Sequence, residues 1–319
     1  SLPHFLFTMI DSPTDKNASL DDADRLLKVG RHEQAIDLLD SLLAVHPDEE
    51  SVMLRLAWAC WDIRDKDRSI FYWERLFDRE IRRPVFTGFA FDELTRIYKE
   101  ERRPDRLIEL CRRAAITHPD DVGILTELGH ACLLAGRLEE ARDVFSRLTT
   151  LEADNPVFFC KLGQALMALE LSDEAEAAFR RASQIDPDEA DRYLFQAACL
   201  YQQCGKVTEA ERLILECMAL APMQGLYDCA LGDLLISRGN IPDALAAYEK
   251  AAHRAPQAAA SYYHRLGHAL MAAKRYSEAM QAFSREVSME ANPVSLRALA
   301  DACEKAGEID LADRIRNKL

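Results

Sequence analysis

Turn-forming residues are scarce in this chain, with 12 glycines and 12 prolines among 319 residues. That scarcity excludes collagen-like and linker-dominated sequences and leaves little turn chemistry for an all-β fold. Basic residues are outnumbered 40 to 54, for a net charge of −14. A polyanion binder needs a positive field, so nucleic acid is not an expected partner. No apolar run approaches the roughly 18 residues of a membrane span. There is no CxxC pair, no GxGxxG and no P-loop, so no motif supports a nucleotide or cofactor site, and none is expected. The nine cysteines form an odd set without framework spacing, which suits a reducing cytoplasm. Residues 1–10 are apolar but lack a Lys/Arg lead, a poor match to a secretory signal. With 49% hydrophobic residues, the composition implies a soluble, acidic, helical chain.

What the sequence does have is a period. Small residues recur at Ala35, Ser69, Ala141, Ala175, Ala210, Ala244, Ala279 and Ala312, with Leu107 filling the one gap. The spacing is close to 34 residues throughout, which signals a stacked array of helical units. Twelve residues earlier stand Ala23, Ala57, Thr95, Gly129, Gly163, Ala198, Gly232, Gly267 and Ala300. Four residues later stand Leu39, Trp73, Cys111, Phe145, Phe179, Ile214, Tyr248, Phe283 and Arg316. Pro47, Pro119, Pro187, Pro222 and Pro256 follow at twelve. The two small residues let a pair of helices approach closely, and the large residue is expected to fill the space between units. The proline stops the second helix. Gly30, Gly136, Gly205, Gly239 and Gly307 fall in the turns between helices, where a left-handed cap is cheap. Ser19 to Asp22 reads as a capping box.

These residues resemble tetratricopeptide (TPR) repeats, which carry Leu-Gly, aromatic, Ala, Phe and Pro at fixed offsets. Unit five matches best, through Leu162-Gly163, Leu166, Ala175, Phe179, Ala182 and Pro187. The resemblance implies an all-α fold, an α-solenoid or superhelix of about nine helix-turn-helix repeats. Residues 1–15 form an apolar N-terminal segment outside the repeats. Residues 16–319 form the array, with units near 16–49, 50–83, 88–121, 122–155, 156–189, 191–224, 225–258, 260–292 and 293–319. The third unit departs from the pattern at Thr95, Leu107 and Cys111, after four extra residues, Pro84 to Thr87. A bend is expected there. The last unit carries polar residues on its final helix, as a terminal cap needs, so the fold is expected to end with the chain.

Candidate chemistry dissolves into the register. Cys60, Cys132 and Cys303 share one core slot of the first helix, and Cys111 and Cys217 lie in slots of the second. Buried free cysteine behaves as a small hydrophobe. His264 and His268 are four apart on one helix face, a metal-compatible spacing, but no HExxH-type glutamate accompanies them. They are expected to line a groove, and no metal site is expected. The arginines between Arg79 and Arg113 alternate with carboxylates, the mark of a salt-bridged surface. No catalytic residues emerge, and the chain is expected not to be an enzyme.

The resemblance also implies a groove lined by the first helices. Its slots map to Trp58 and Trp61 in unit two, Arg96 and Lys99 in unit three, and His130 in unit four. They continue with Gln164 and Met167, then Phe195, Cys199 and Gln202, then Asp233, and finally His264 and His268. The lysines and asparagines with which some relatives clamp a chaperone's C-terminal carboxylate are missing, since Leu20, Asp24, Leu54 and Trp58 occupy those slots. The uncharged, partly apolar middle suits an extended peptide or an amphipathic helix. The expected function is a non-enzymatic protein-interaction scaffold or chaperone-like adaptor that binds a peptide segment or helix of a protein partner. The alternatives left open are a regulatory portion of a larger enzyme or signalling assembly, and a self-assembling scaffold. The segment Leu2 to Ile10 is expected to enter an apolar groove of its own chain or of a second copy, giving a homo-oligomer.

Overall fold

The computed structural model describes residues 13–83 and 85–317. The expected insertion of residues 1–10 into a groove therefore lies outside the described residues. Contacts divide the chain into two compact units, residues 1–144 and 145–319. The first contains α1 (Pro13–Lys28), α2 (His32–Val45), α3 (Glu50–Asp62), α4 (Lys66–Glu80), α5 (Phe89–Glu100), α6 (Pro104–Thr117) and α7 (Val122–Leu134). The boundary falls within α8 (Leu138–Leu151). The second contains α9 (Pro156–Ala168), α10 (Ser172–Ile185), α11 (Ala190–Gln203), α12 (Val207–Leu220) and α13 (Gly225–Ser237). It continues with α14 (Ile241–Arg254), α15 (Ala259–Ala272), α16 (Tyr276–Met289), α17 (Pro293–Ala306) and α18 (Ile309–Arg316). Among the described residues there are eighteen α-helices and no strand. The fold is all-α and built from nine helix pairs, the solenoid class expected.

Each pair turns through one left-handed residue. The positions are Gly30, Arg64, Arg102, Gly136, Glu170, Gly205, Gly239, Lys274 and Gly307, all with positive φ. Each precedes the small residue of the second helix by five, so the turn keeps the same register as the core. The next residue donates its backbone N–H to a carbonyl of the last turn, as Arg275 does to Leu270 at 2.8 Å, closing a Schellman-type cap. Second helices stop two residues before each proline: Val45 before Pro47, Thr117 before Pro119, Ile185 before Pro187, Leu220 before Pro222 and Arg254 before Pro256. The residue between has left helical geometry, because the proline ring forbids it. Helix starts use Asp65, Asp121, Asn155 and Asn292, whose side chains accept backbone N–H groups. Ser19 is not among them. The helix begins at Pro13, a residue suited to a first turn, so Ser19 to Asp22 lies inside α1 and forms no capping box.

In three pairs the ring of the second helix packs on the glycine of its own first helix. A Cβ at Gly163 would sit 2.6 Å from the Phe179 ring, one at Gly232 2.6 Å from Tyr248, and one at Gly267 2.5 Å from Phe283. Where the ring gives way to Leu39 or Ile214, the facing register position is Ala23 or Ala198. In the last unit the ring is replaced by Arg316, which reaches Asp301 at 3.4 Å and also pairs with Glu304.

The irregular connection into unit three is held by a buried carboxylate. Glu80, at the end of α4, accepts the backbone N–H groups of Phe89 at 2.7 Å, Ala90 at 3.0 Å and Phe91 at 3.2 Å, and the Thr87 hydroxyl. These are the orphan donors at the start of α5, where a negative charge is also favoured by the helix dipole. Gly88 enters the helix at φ 77°.

Four of the nine turns hold a side chain in the left-handed region, where a Cβ costs about 1–2 kcal/mol. Glycine returns part of this as unfolded-state entropy, about 0.5–1 kcal/mol. The variant Lys274→Gly is therefore expected to be more stable than the parent by about 0.5–1 kcal/mol, read as a higher urea midpoint at unchanged slope. An unchanged or lower midpoint would show that the strain at Lys274 does not exceed the unfolded-state entropy that glycine gives up.

Candidate functional site

In the first unit the two tryptophans meet different fates. Trp58 is 37% exposed, and its ring lies edge-on to the buried Trp73 at 5.3 Å between centroids. Trp61 is half-buried under two cations, with the Arg96 guanidinium 4.9 Å and the Lys66 ammonium 5.8 Å from its ring centre. Arg96 is also bonded to Glu93 at 2.9 Å and to Glu100 at 2.8 Å. Lys99 pairs with Glu127 at 2.6 Å, and His130 is half-buried on α7. Arg96 and Lys99 thus have carboxylate partners within the chain. The arginine-rich stretch behaves alike: Arg112 pairs with Glu140 at 2.7 Å and Arg113 with Glu74 at 2.6 Å.

In the second unit, successive first helices touch, α9 with α11 and α13 with α15. Gln164 is half-buried and lies 3.4 Å from the Lys161 ammonium. Met167 differs from its expected place, being only 2% exposed. It shares an apolar cluster with Leu194 and Ala198 of α11, which covers this side of α9. Phe195 is half-buried against Tyr227, at 5.0 Å between centroids, and the Tyr227 hydroxyl donates to Asp191 at 2.6 Å. Cys199 is half-buried and Gln202 exposed on the same helix. Asp233 serves the fold: Arg265 donates to it at 2.8 Å, and the buried Tyr248 hydroxyl donates to it as well.

His264 and His268 come together on α15, their Nε2 atoms 3.1 Å apart and their ring centres 4.5 Å apart. Glu286 of α16 lies behind them, with its oxygens 3.0 and 3.1 Å from His264 Nδ1. Burial and then the neighbouring His264 charge hold the His268 imidazole below the ordinary histidine range. Glu286 was legible in the register but not singled out. Seven residues after the small residue of the second helix stand Leu42, Leu76, Ala114, Leu148, Ala182, Cys217 and Ala251, and then Glu286.

Seven of the nine cysteines are buried. Burial pushes the Cys60 thiol up to about 11 and those of Cys132, Cys160, Cys217 and Cys229 up to about 12, which keeps them protonated and unreactive. No group of three or more His, Cys, Asp or Glu side chains is placed to hold a metal ion, and no helix is long and apolar enough to cross a membrane, among the described residues.

Paired helices in a 34-residue register, each pair closed by a left-handed turn, define a helical-repeat scaffold. A family model described as tetratricopeptide repeat matches residues 20–80, 97–156, 160–218 and 229–295, and the chain belongs to that family. The family's fold is a protein-interaction scaffold, and this chain has that fold. Among solved structures, it is similar to a tetratricopeptide repeat protein from Parabacteroides merdae, at 16% identity and TM-score 0.45 over 90% of this chain and 98% of that one. It is also similar to YrrB, a TPR protein with an unusual peptide-binding site, at 18% identity and TM-score 0.41 over 56% and 92%. A TPR protein of Thermus thermophilus, TTC0263, stands at 23% identity and TM-score 0.37 over 55% and 96%. A comparison with curated proteins finds no match.

Thiol accessibility checks this placement. In the native protein, Cys204, which is exposed, is expected to react first with a disulfide reagent, and Cys199 more slowly. The other seven should label only on unfolding. Rapid modification of Cys160 or Cys229, mapped by mass spectrometry, would contradict the burial of these helix faces.

Proposed function

We propose that the second unit binds an extended segment or amphipathic helix of a protein partner across the first helices α9 and α11, and that the chain works as a chaperone-like adaptor in the cytoplasm. One observation carries this reading. Gln164, Phe195, Cys199 and Gln202 are uncharged and at least partly open; Lys161 donates to the Gln164 carbonyl at 3.4 Å, and nearby arginines are held in ion pairs within the chain. Arg265 is bonded to Asp233, and Arg180 reaches Glu176 and Glu216, each at 2.9 Å. A partner therefore meets amides, a thiol and one aromatic face without having to displace an ion pair. The chemistry that fits is an apolar anchor set on Phe195, with backbone amides bonding Gln164 and Gln202. In the first unit, Trp58 offers a comparable aromatic contact. Free buried thiols are consistent with a reducing compartment.

The test begins with the partner recovered from native lysate and identified by mass spectrometry. Its affinity is then measured for two double variants. Phe195→Ala with Gln202→Ala should weaken binding by about 1–2 kcal/mol, roughly 5- to 30-fold. Arg102→Ala with Arg103→Ala should change it by less than about threefold. The opposite order would move the contact to the arginine-rich surface and end this reading.

A further inference from the structure

We propose that His264 and His268 form a two-imidazole site for a late first-row divalent metal ion, such as Ni2+ or Zn2+, with Glu286 as the group that orients it. Three observations converge, and none depends on the peptide-binding reading.

The first is the bite. The two Nε2 atoms lie 3.1 Å apart on one helix face. With metal–nitrogen bonds of about 2.0–2.1 Å, that span closes an N–metal–N angle of about 95–100°, between square-planar and tetrahedral values. The Phe283 ring packs against both imidazoles, at 6.0 and 5.2 Å between centres, and restricts their rotation.

The second is the tautomer. Both oxygens of Glu286 lie within hydrogen-bond distance of His264 Nδ1. A carboxylate oxygen at this distance accepts from a protonated ring nitrogen, so the geometry fits the His264 tautomer with its proton on Nδ1 and the Nε2 lone pair toward His268. This carboxylate–imidazole arrangement is the one that orients metal-bound histidines and raises their basicity. Without an ion, one proton must lie between the two Nε2 atoms, donated by His268 to His264. Metal binding moves that proton to His268 Nδ1, by exchange with solvent, and leaves both Nε2 lone pairs on the ion.

The third is the cost of Glu286. It is 5% exposed and stands where the other units place leucine, alanine or cysteine. A buried carboxylate is expensive unless it faces positive charge. Among the described residues, the basic side chain within ion-pair distance of it is His264, which carries no charge in that tautomer, and no lysine or arginine is. A divalent ion on the far side of the imidazole supplies the missing positive charge through the ring. Imidazole donors select Ni2+, Cu2+ or Zn2+ over Mg2+ and Ca2+. His268 is open to solvent, so the remaining coordination positions take water.

Calorimetric titration of the full chain, carrying no histidine tag, with NiCl2 at pH 7.5 tests the site. One ion per chain is expected, with no heat from MgCl2. His268→Ala changes an exposed side chain and should leave the melting temperature unaltered while lowering Ni2+ affinity at least tenfold. Glu286→Gln should lower it by about 10–100-fold, and Ni2+ should raise the melting temperature of the parent but not of His268→Ala. Equal Ni2+ affinity in the parent and His268→Ala, or no binding up to millimolar Ni2+, would overturn the proposal. Parent-like affinity in Glu286→Gln would remove the orienting role assigned to the carboxylate.

Discussion

Three helix pairs depend on a fit between one aromatic ring and the glycine that faces it. The Phe179, Tyr248 and Phe283 rings occupy space that a single methyl group at Gly163, Gly232 or Gly267 would fill. Because interiors are packed as densely as organic crystals, this contact sets how closely the two helices approach. The left-handed turn five residues before each small residue delivers the second helix at the matching height. Once spacing and height are set, the rotation of each first helix follows, and with it the residues that remain outside.

That rotation explains the surface. On α9 and α11 the turn that carries Gln164 and Gln202 outward carries Met167 and Tyr201 inward. Charged residues lie at the flanks, and most are spent on neighbours: Arg265 on Asp233, Arg180 on Glu216, Lys99 on Glu127. Exposed pairs of this kind add little stability, but they remove their charges from competition for a ligand. What is left for recognition on α9 and α11 is mostly uncharged, with Lys161 beside Gln164 as the exception. The Glu286–His264–His268 cluster is the departure, because there a carboxylate replaces a packing residue and lies behind two imidazoles.

Much of this was legible in the sequence because the period exposes each slot nine times. The helix ends before Pro47, Pro119, Pro187, Pro222 and Pro256 follow from the chemistry of proline, as do the turns at Gly30, Gly136, Gly205, Gly239 and Gly307. The turns at Arg64, Arg102, Glu170 and Lys274 carry no such mark, since packing on both sides forces a conformation that local preference opposes. The Ser19 pattern misled for the opposite reason: a good local cap lost to a helix already begun at Pro13. Met167 was assigned to a surface by its slot, but α11 covers that part of α9, which repeat spacing alone does not encode. Glu80 was invisible because its partners, the amides of Phe89 to Phe91, lie across an insertion that breaks the register. Phe179, expected to fill the space between units, also packs on Gly163 of its own pair.

The central claim is that the size of the ring and the smallness of its facing residue are one coupled feature, and a double-mutant cycle on Gly163→Ala and Phe179→Leu measures it most directly. Gly163→Ala alone should destabilise the protein by about 1–3 kcal/mol through overpacking. With leucine at 179, as at the natural pairs Ala23 with Leu39 and Ala198 with Ile214 in kind, the same alanine should be tolerated. The cycle should return a favourable coupling of about 0.5–3 kcal/mol. Additive effects within error would mean that the ring does not occupy the space above Gly163, and that the helix pairs are held together in some other way.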